Sequence, residues 1–236
     1  MNPHQQLALQ QALAWITTQF EPLGIVASGS IVRGNSHPTS DFDLYVVHEK
    51  DFRQRVQKRF NGVPCEIFVN NPAQVRGYFA SELRQNRPVT AHLLATGQPV
   101  FGSDNPQLLS LLGEARHYAT LASPLTAEQA TFRKYGLATL VEDAADMLTI
   151  DEATSVYVLN QAIAQLVELV FATHQHPLPR IKERLASLSH LDAAVGLGVQ
   201  QYYQLADARQ KYELAKTLVL RVAGATEFFE WSSTPA

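Results

Sequence analysis

The chain has 236 residues, of which 46% are hydrophobic and 17% are charged, a balance typical of a soluble protein with a substantial core. The net charge of -3 gives no overall positive field, which disfavours nucleic acid and anionic membranes as partners. Cys65 is the single cysteine, so an intrachain disulfide is excluded and a reducing compartment is favoured. The first residues do not resemble a signal peptide, and no apolar run reaches the ~20 residues of a membrane span. We therefore expect a cytoplasmic protein without a membrane segment.

Residues 1–115 mix two apolar patterns. Recurrence at helical spacing predicts helices, and short continuous apolar runs predict strands. The predicted helices cover 3–20, 48–60, 72–86, 89–96 and 105–112, and the predicted strands cover 24–27, 41–47, 63–69 and part of 97–102. The helix over 48–60 rests on Phe52, Val56 and Phe60, which recur every four residues.

Residues 116–236 have helical periodicity and no convincing strand. The predicted helices cover 126–150, 152–174, 180–188, 191–206 and 208–222. Helices joined by such short connections are typical of a bundle. The sequence therefore predicts an α+β protein of two domains, with a small mixed sheet and flanking helices over 1–115 and an all-α helical bundle over 116–236.

Two carboxylates stand at the start of the second predicted strand. Asp41 and Asp43 are two residues apart, and side chains two apart on a strand point to the same side. Such a pair repels itself unless a cation lies between the carboxylates. Glu66 on the third predicted strand adds a third carboxylate if the two strands are neighbours. Three carboxylates on a rigid platform are what a pair of Mg²⁺ ions bound to a nucleoside triphosphate requires.

A turn of small residues precedes this pair. Backbone amides near Gly29 and Ser30 would point at phosphate oxygens, and the Ser30 hydroxyl adds a donor. Arg33 follows closely and is a candidate for neutralising phosphate charge. Each feature also has a plain alternative: a tight turn, two solvated acids at a strand end, and a surface ion pair for Arg33. For Glu66 the alternative is an exposed strand residue facing water.

The combined pattern resembles a known signature. Gly29-Ser30, then ten residues, then Asp41-Phe42-Asp43 is similar to the motif of the DNA polymerase β-type nucleotidyltransferase superfamily. Within it, the chain resembles small bacterial members, the aminoglycoside and lincosamide nucleotidyltransferases and the minimal nucleotidyltransferases. The resemblance extends over about 7–102.

The resemblance implies roles for these residues. Asp41 and Asp43 are expected to bind Mg²⁺, with Glu66 as third ligand or general base. Two residues of the same motif, Arg33 and Ser40, join Gly29 and Ser30 as expected nucleotide-binding residues. The resemblance also implies a helical second domain that shapes the acceptor pocket. ATP is taken as the expected nucleotide, although nothing in the sequence marks the base.

The helical half offers weaker candidates. Glu142 and Asp146 lie one helical turn apart and would suit a cationic acceptor or supply a base, unless they form a solvated acidic face. His174 and His176 stand at a predicted helix end without a third ligand, which favours a solvated terminus over a metal site.

These features predict transfer of a nucleoside monophosphate from a Mg²⁺-bound triphosphate to a hydroxyl acceptor, with release of pyrophosphate. The acceptor is left open between a small amino sugar of antibiotic type and a protein, and a homodimer is left open too. The first alternative is a non-catalytic nucleotide-binding or antitoxin-like module. The second is a ribonuclease of the HEPN type, because Arg184 and His190 resemble its Arg and His element, although Leu185 replaces its usual polar residue.

Overall fold

The computed structural model describes residues 1–235, so Ala236 of the predicted second domain lies outside the described residues. The chain divides into two compact units between Leu121 and Ala122. The first unit holds a five-stranded sheet with flanking helices, and the second is helical throughout its regular structure. The predicted α+β class is confirmed.

The first unit begins with a helix and builds one sheet. Its elements are α1 (Pro3–Phe20), β1 (Gly24–Ser28), β2 (Phe42–Val47), β3 (Gln54–Phe60), β4 (Val63–Asn70), α2 (Pro72–Arg84), α3 (Val89–Thr96), β5 (Gln98–Phe101) and α4 (Pro106–Tyr118). The strand order is β3-β4-β2-β1-β5. β2 pairs antiparallel with β1 and parallel with β4. The predicted neighbourhood of the second and third apolar strands is therefore confirmed.

Each face of the sheet carries its own apolar core because side chains alternate along a strand. On one face, Leu44 of β2 and Ile67 of β4 pack in a cluster with Ile16 of α1. On the other face, Val26 of β1 packs in a cluster with Phe79 of α2 and with residues of α3 and α4. Helices on both faces thus hold β1, β2 and β4 rigid, which fixes the positions of the residues at their ends.

The predicted helix over 48–60 is wrong, because Gln54–Phe60 forms strand β3. β3 and β4 form a hairpin whose turn residues, Asn61 and Gly62, both have positive φ, at 45° and 77°. Phe60 is buried while most of β3 is exposed, because β3 is an edge strand. A spacing of four residues is also two periods of a strand, so Val56 and Phe60 share a strand face equally well.

Two other predicted boundaries also differ. α4 continues through Gly113 to Tyr118, so its predicted end at Leu112 is wrong. The predicted helix over 180–188 instead spans Arg184–Leu191, after a turn in which Arg180 and Glu183 form an ion pair of 2.7 Å. The first helix is extended by an apolar face that continues to Ala115, and the second begins after a local polar contact that an apolar-periodicity argument does not detect.

The second unit is a set of helices around one core. They are α5 (Ala127–Met147), α6 (Glu152–Thr173), α7 (Arg184–Leu191), α8 (Ala193–Gln204) and α9 (Ala208–Ala223). Leu159, Leu166 and Phe171 of α6 are fully buried among the other helices. Within residues 1–235, α6 alone is long and apolar enough to cross a membrane, with mean hydropathy 1.4, and half of that window is buried. Core helices meet the same criterion.

Candidate active site

The register of the sheet places two predicted site residues, Asp43 and Glu66, in one row with the end of β1. Asp43 of β2 lies opposite Ser28 at the end of β1 and beside Glu66 of β4. Residues in register on neighbouring strands point to the same face. Asp43 and Glu66 are therefore adjacent, as the sequence predicts. Asp41 lies one residue before β2, whose predicted start at Asp41 is one residue too early.

Gly29 brings its backbone against the carboxylates. Its φ is +96°, a left-handed conformation that favours glycine. A Cβ at this position would lie 3.1 Å from Asp43 Oδ2 and 3.1 Å from the carbonyl oxygen of Asp41. Both the conformation and the space thus call for glycine. The turn that follows β1 and the acidic pair therefore form a single small region.

The loop after Gly29 folds back on itself. The Arg33 amide donates to the Gly29 carbonyl at 3.2 Å, which makes a helix-like turn. The Ser30 hydroxyl donates to Ser40 Oγ at 2.7 Å, and Ser40 Oγ also accepts the His37 amide at 2.8 Å. Ser30 and Ser40, both expected nucleotide-binding residues, are thus brought into contact. Their expected contacts with a nucleotide stay predictions.

Arg33 is directed inward. The residue is half-buried and both of its Nη atoms are buried. The expected contact of Arg33 with phosphate stays a prediction. For that contact, a phosphate would have to lie beside the buried Nη atoms of the guanidinium.

Glu66 is held by two residues of β3. Arg55 Nη2 donates to Glu66 Oε2 at 2.7 Å, and Gln57 Nε2 donates to Glu66 Oε1 at 2.8 Å. The Arg55 guanidinium also lies 5.1 Å from the centre of the Phe68 ring. Sequence reasoning missed Arg55 and Gln57 because it placed them in a helix. Their alternation with Val56 was the signal that would have set them on the Glu66 face of a strand.

The donor set suits a hard cation only in part. Within residues 1–235, no three or more His, Cys, Asp or Glu side chains form a group that could hold a metal ion. Carboxylate oxygens such as those of Asp41 and Asp43 are the ligands that Mg²⁺ prefers. Glu66 would join them after releasing Arg55. By ligand type Asp41 and Asp43 thus suit the ion, and their expected roles as its ligands stay predictions.

Cys65 of β4 is buried and is influenced by the negative charge of Asp41. Burial, and secondarily the negative charge of Asp41, raise the pKa of the Cys65 thiol to about 12. The thiol is therefore neutral at physiological pH and packs as an apolar group in the core. The Asp41 carboxylate is close enough to β4 to be felt electrostatically there.

The candidates in the second unit are more scattered. Glu142 and Asp146 both lie on α5, half-buried and exposed respectively, as the helical spacing predicts. His174 Nδ1 lies 2.9 Å from the Val170 carbonyl oxygen and His176 Nδ1 lies 2.8 Å from that of Pro177. The two histidines thus contact backbone at the end of α6, which favours the solvated helix terminus.

Arg184 and His190 are engaged locally. Arg184 Nη1 lies 3.4 Å from Glu168 Oε1, and its Nε donates to the Pro179 carbonyl at 3.2 Å. His190 Nδ1 lies 2.7 Å from the Ala186 carbonyl oxygen. No observed contact joins the two side chains into a ribonuclease site.

Comparison with known proteins identifies the first unit. Residues 11–87 match the family model of the nucleotidyltransferase domain. Residues 11–87, about a third of the chain, are thus similar to the nucleotidyltransferase domain of the DNA polymerase β-type superfamily. The match includes Gly29, Asp41, Asp43 and Glu66.

The whole chain has a structural counterpart. The crystal structure of a nucleotidyltransferase-like protein from Exiguobacterium sibiricum 255-15 is similar, with TM-score 0.54 and 15% identity. The similarity covers 94% of this chain and 75% of that chain. At this identity the likeness establishes the fold. No curated protein matches the sequence.

Proposed function

We propose that the protein transfers a nucleoside monophosphate from a Mg²⁺-bound nucleoside triphosphate, with ATP as the expected donor, to a hydroxyl acceptor. The observation that carries the proposal is the close approach of Gly29 to Asp43. A Cβ added to Gly29 would lie 3.1 Å from Asp43 Oδ2. Backbone amides of such a turn can bind phosphate, and a carboxylate beside them can hold the cation that accompanies a triphosphate.

Asp41 and Asp43 would hold the cations, two in number by the chemistry of in-line displacement. When bound, Mg²⁺ would neutralise phosphate charge and polarise the phosphoryl oxygens. The residues of the chain position the reactants. Amides near Gly29, together with the Ser30 and Ser40 hydroxyls, would donate to phosphate oxygens and fix the triphosphate against the end of β1.

The acceptor hydroxyl oxygen forms a bond to the α-phosphorus while the bond to the pyrophosphate oxygen breaks. The hydroxyl proton leaves to a base. Glu66 is the nearest candidate because it is adjacent in register to Asp43, and its carboxylate becomes available once Arg55 and Gln57 release it. The proposed acceptor is a cationic small molecule such as an amino sugar, with a protein hydroxyl as the other acceptor class.

Calorimetry with a non-hydrolysable ATP analogue tests the proposal. The native chain should bind the analogue in Mg²⁺ and bind it at least about tenfold more weakly in EDTA. Asp43→Asn should abolish the Mg²⁺ effect, and Asp104→Asn, which changes an exposed aspartate of the same unit, should preserve it. Equal binding by the native chain and Asp43→Asn would overturn the assignment.

One observation favours a second candidate, nucleotide binding without turnover. Glu66 forms an ion pair with Arg55 at 2.7 Å, which keeps the third carboxylate away from a cation. Under this alternative the chain binds the analogue in Mg²⁺ but releases no pyrophosphate from ATP with a panel of amino sugars, alcohols and proteins. Pyrophosphate release by the native chain that is absent in Asp41→Asn would support nucleotidyl transfer over binding without turnover.

A further inference from the structure

The segment after α9 carries aromatic residues that the proposed nucleotidyl transfer does not use. Phe228, Phe229 and Trp231 of this segment surround Tyr135 of α5, and we call these four rings the aromatic cage. The ring centre of Tyr135 lies 6.3 Å from that of Phe228, 5.7 Å from that of Phe229 and 6.1 Å from that of Trp231. Phe132 of α5 is a fifth ring beside the cage, and its ring centre lies 5.9 Å from that of Trp231.

The rings do not stack flat on one another. Tyr135 meets both phenylalanines at 80° and Trp231 at 51°, and Phe132 meets Trp231 at 68°. Edge-to-face contacts of this kind turn ring faces in different directions, so they can surround a ligand from several sides. None of the four cage rings is fully buried: Phe228 is 68% exposed, and Tyr135, Phe229 and Trp231 are half-buried.

The segment is tied to one face of α5. Glu128, Phe132 and Tyr135 are spaced by four and then three residues, so they lie along the same side of the helix. Thr234 donates to the Glu128 carboxylate through its amide at 3.1 Å and through its hydroxyl at 3.2 Å. The aromatic contacts and this clamp hold the segment on both sides of Trp231. The cage is thus a fixed arrangement rather than a chance meeting of loose residues.

A cavity of about 580 Å³ opens at the cage. Six residues line it: Tyr135, Phe228, Phe229, Glu230, Trp231 and Ser232. A volume of this size accommodates a small organic molecule. None of the six lining residues is basic, and Glu230 supplies a carboxylate, so the local charge is negative.

We propose that this cavity binds an organic monocation, a protonated or quaternary amine. Aromatic faces carry negative electrostatic potential and attract a cation, most strongly at Trp. Glu230 adds a charge of the complementary sign, and its carboxylate with Ser232 can accept hydrogen bonds from an ammonium. A phosphate or carboxylate ligand would meet the repulsion of Glu230 and of the ring faces. The proposal does not depend on nucleotidyl transfer, because it rests on residues of the second unit alone.

Intrinsic fluorescence provides the test. The chain has two tryptophans, so Trp15→Phe leaves Trp231 as the sole reporter within the cage. The probes are choline and its neutral isostere 3,3-dimethylbutan-1-ol, at constant ionic strength maintained with NaCl. Choline should change Trp231 emission saturably. The isostere, which has the same shape without the charge, should bind at least about tenfold more weakly.

Matched variants in the same background localise the binding. Phe228→Ala should weaken choline binding by about 2- to 30-fold, the range of a single cation–π contact. Glu230→Gln should weaken it a few-fold without changing affinity for the isostere. Tyr157→Ala, which removes an aromatic side chain of α6 that is 65% exposed, should leave binding unchanged.

Three outcomes would overturn the proposal. Equal affinity for choline and its isostere would make the cavity a neutral apolar groove. Saturable binding of adenosine without binding of choline would make the rings a stacking platform for a planar ligand. No saturable response to choline would make the cage a structural clamp for the C-terminal segment. Circular dichroism of each variant shows whether its fold is retained, and choline protection of the native chain against thermal unfolding gives an independent readout.

Discussion

At the residue scale, Gly29 joins the two halves of the candidate site. Ser28 ends β1 opposite Asp43, and the next residue must turn away from the sheet while staying beside the carboxylate. A positive φ is accessible to glycine without the Cβ clash that other residues meet. The proposed nucleotide-binding turn and the acidic strand therefore meet at a single backbone position.

Alanine substitutions at Gly29 and Gly34 distinguish the effect of crowding at Asp43 from the effect of backbone strain. Gly29→Ala should destabilise the chain by about 1–2 kcal/mol and reduce Mg²⁺-dependent nucleotide binding at least about tenfold, because the methyl group crowds Asp43. Gly34→Ala is the matched control, since Gly34 has φ +81° but a Cβ there meets no atom within 4 Å. It should lose similar stability and keep binding. Chemical denaturation and calorimetry measure both; equal binding losses would contradict the contact.

The Arg55–Glu66 pair yields a second residue-scale prediction. Because Arg55 competes with a cation for Glu66, Arg55→Ala should lower the Mg²⁺ concentration for half-maximal nucleotide binding by a few-fold. The pair is partly exposed, with 25% of the Glu66 side chain accessible, so its loss should cost at most about 1 kcal/mol of stability.

Lys58→Ala is the control for that experiment, because Lys58 lies on β3 and contacts the Trp15 ring rather than Glu66. Titration of Mg²⁺ at fixed analogue concentration provides the comparison. A higher Mg²⁺ requirement in Arg55→Ala would instead make Arg55 a residue that positions Glu66 for the ion.

At the element scale, the sequence pattern predicted correctly those helices and strands whose side chains pack in a core. α1, β1, β2 and β4 carry apolar runs that pack in the core, and their patterns predicted them closely. The prediction for β3 failed because both faces of this strand are largely exposed, so its apolar pattern is weak and its conformation is set by pairing with β4. Asp43 and Glu66 could be predicted as neighbours, whereas the attachment of Glu66 to Arg55 followed from the register of the misassigned strand.

α2 and α4 are joined by an ion pair whose effect depends on pH. Arg76 Nη2 lies 2.8 Å from Glu114 Oε1, and its Nε donates to the same carboxylate. The hydrogen bonds from Arg76 lower the pKa of Glu114 below its ordinary value of 4.5. A depressed carboxyl pKa stabilises the folded state above the ordinary pKa, and this stabilisation is lost as the pH falls through the lower folded value.

Removal of that carboxylate should therefore matter at neutral pH and not in acid. Glu114→Gln should reduce stability by at most about 1 kcal/mol at pH 7, because both side chains are partly exposed. The difference in unfolding free energy between Glu114→Gln and the native chain should shrink as the pH falls below the ordinary pKa of a Glu carboxyl. Urea denaturation across this range measures it. A difference that is independent of pH would assign the effect to packing, because the Ser110 hydroxyl, which donates to Glu114 at 3.0 Å, also lowers the pKa of this carboxyl.

At the scale of the whole molecule, each unit has a core of its own. The clusters on the two faces of the sheet draw their buried residues from 8–115, and the helical cluster draws its buried residues from 137–223. The sequence predicted two domains, 1–115 and 116–236, with a boundary in the region from Gly113 to Thr126, and the chain divides between Leu121 and Ala122. α4 runs through Gly113 because Leu111, Leu112 and Ala115 continue its apolar face in the sheet core.

Separate cores imply separate folding, since a unit of about 100 residues can bury enough apolar surface to be stable alone. We expect 1–121 expressed by itself to unfold cooperatively and to bind the ATP analogue in Mg²⁺, because Gly29, Asp43 and Glu66 all lie on its sheet or at its ends. A shorter segment, 1–112, should be less stable because it ends within α4 and lacks Ala115, which is fully buried. Thermal unfolding by circular dichroism compares the two segments. Equal stability would mean that the last turns of α4 contribute nothing to the sheet core, and a non-cooperative 1–121 would mean that the sheet requires the helical unit to fold.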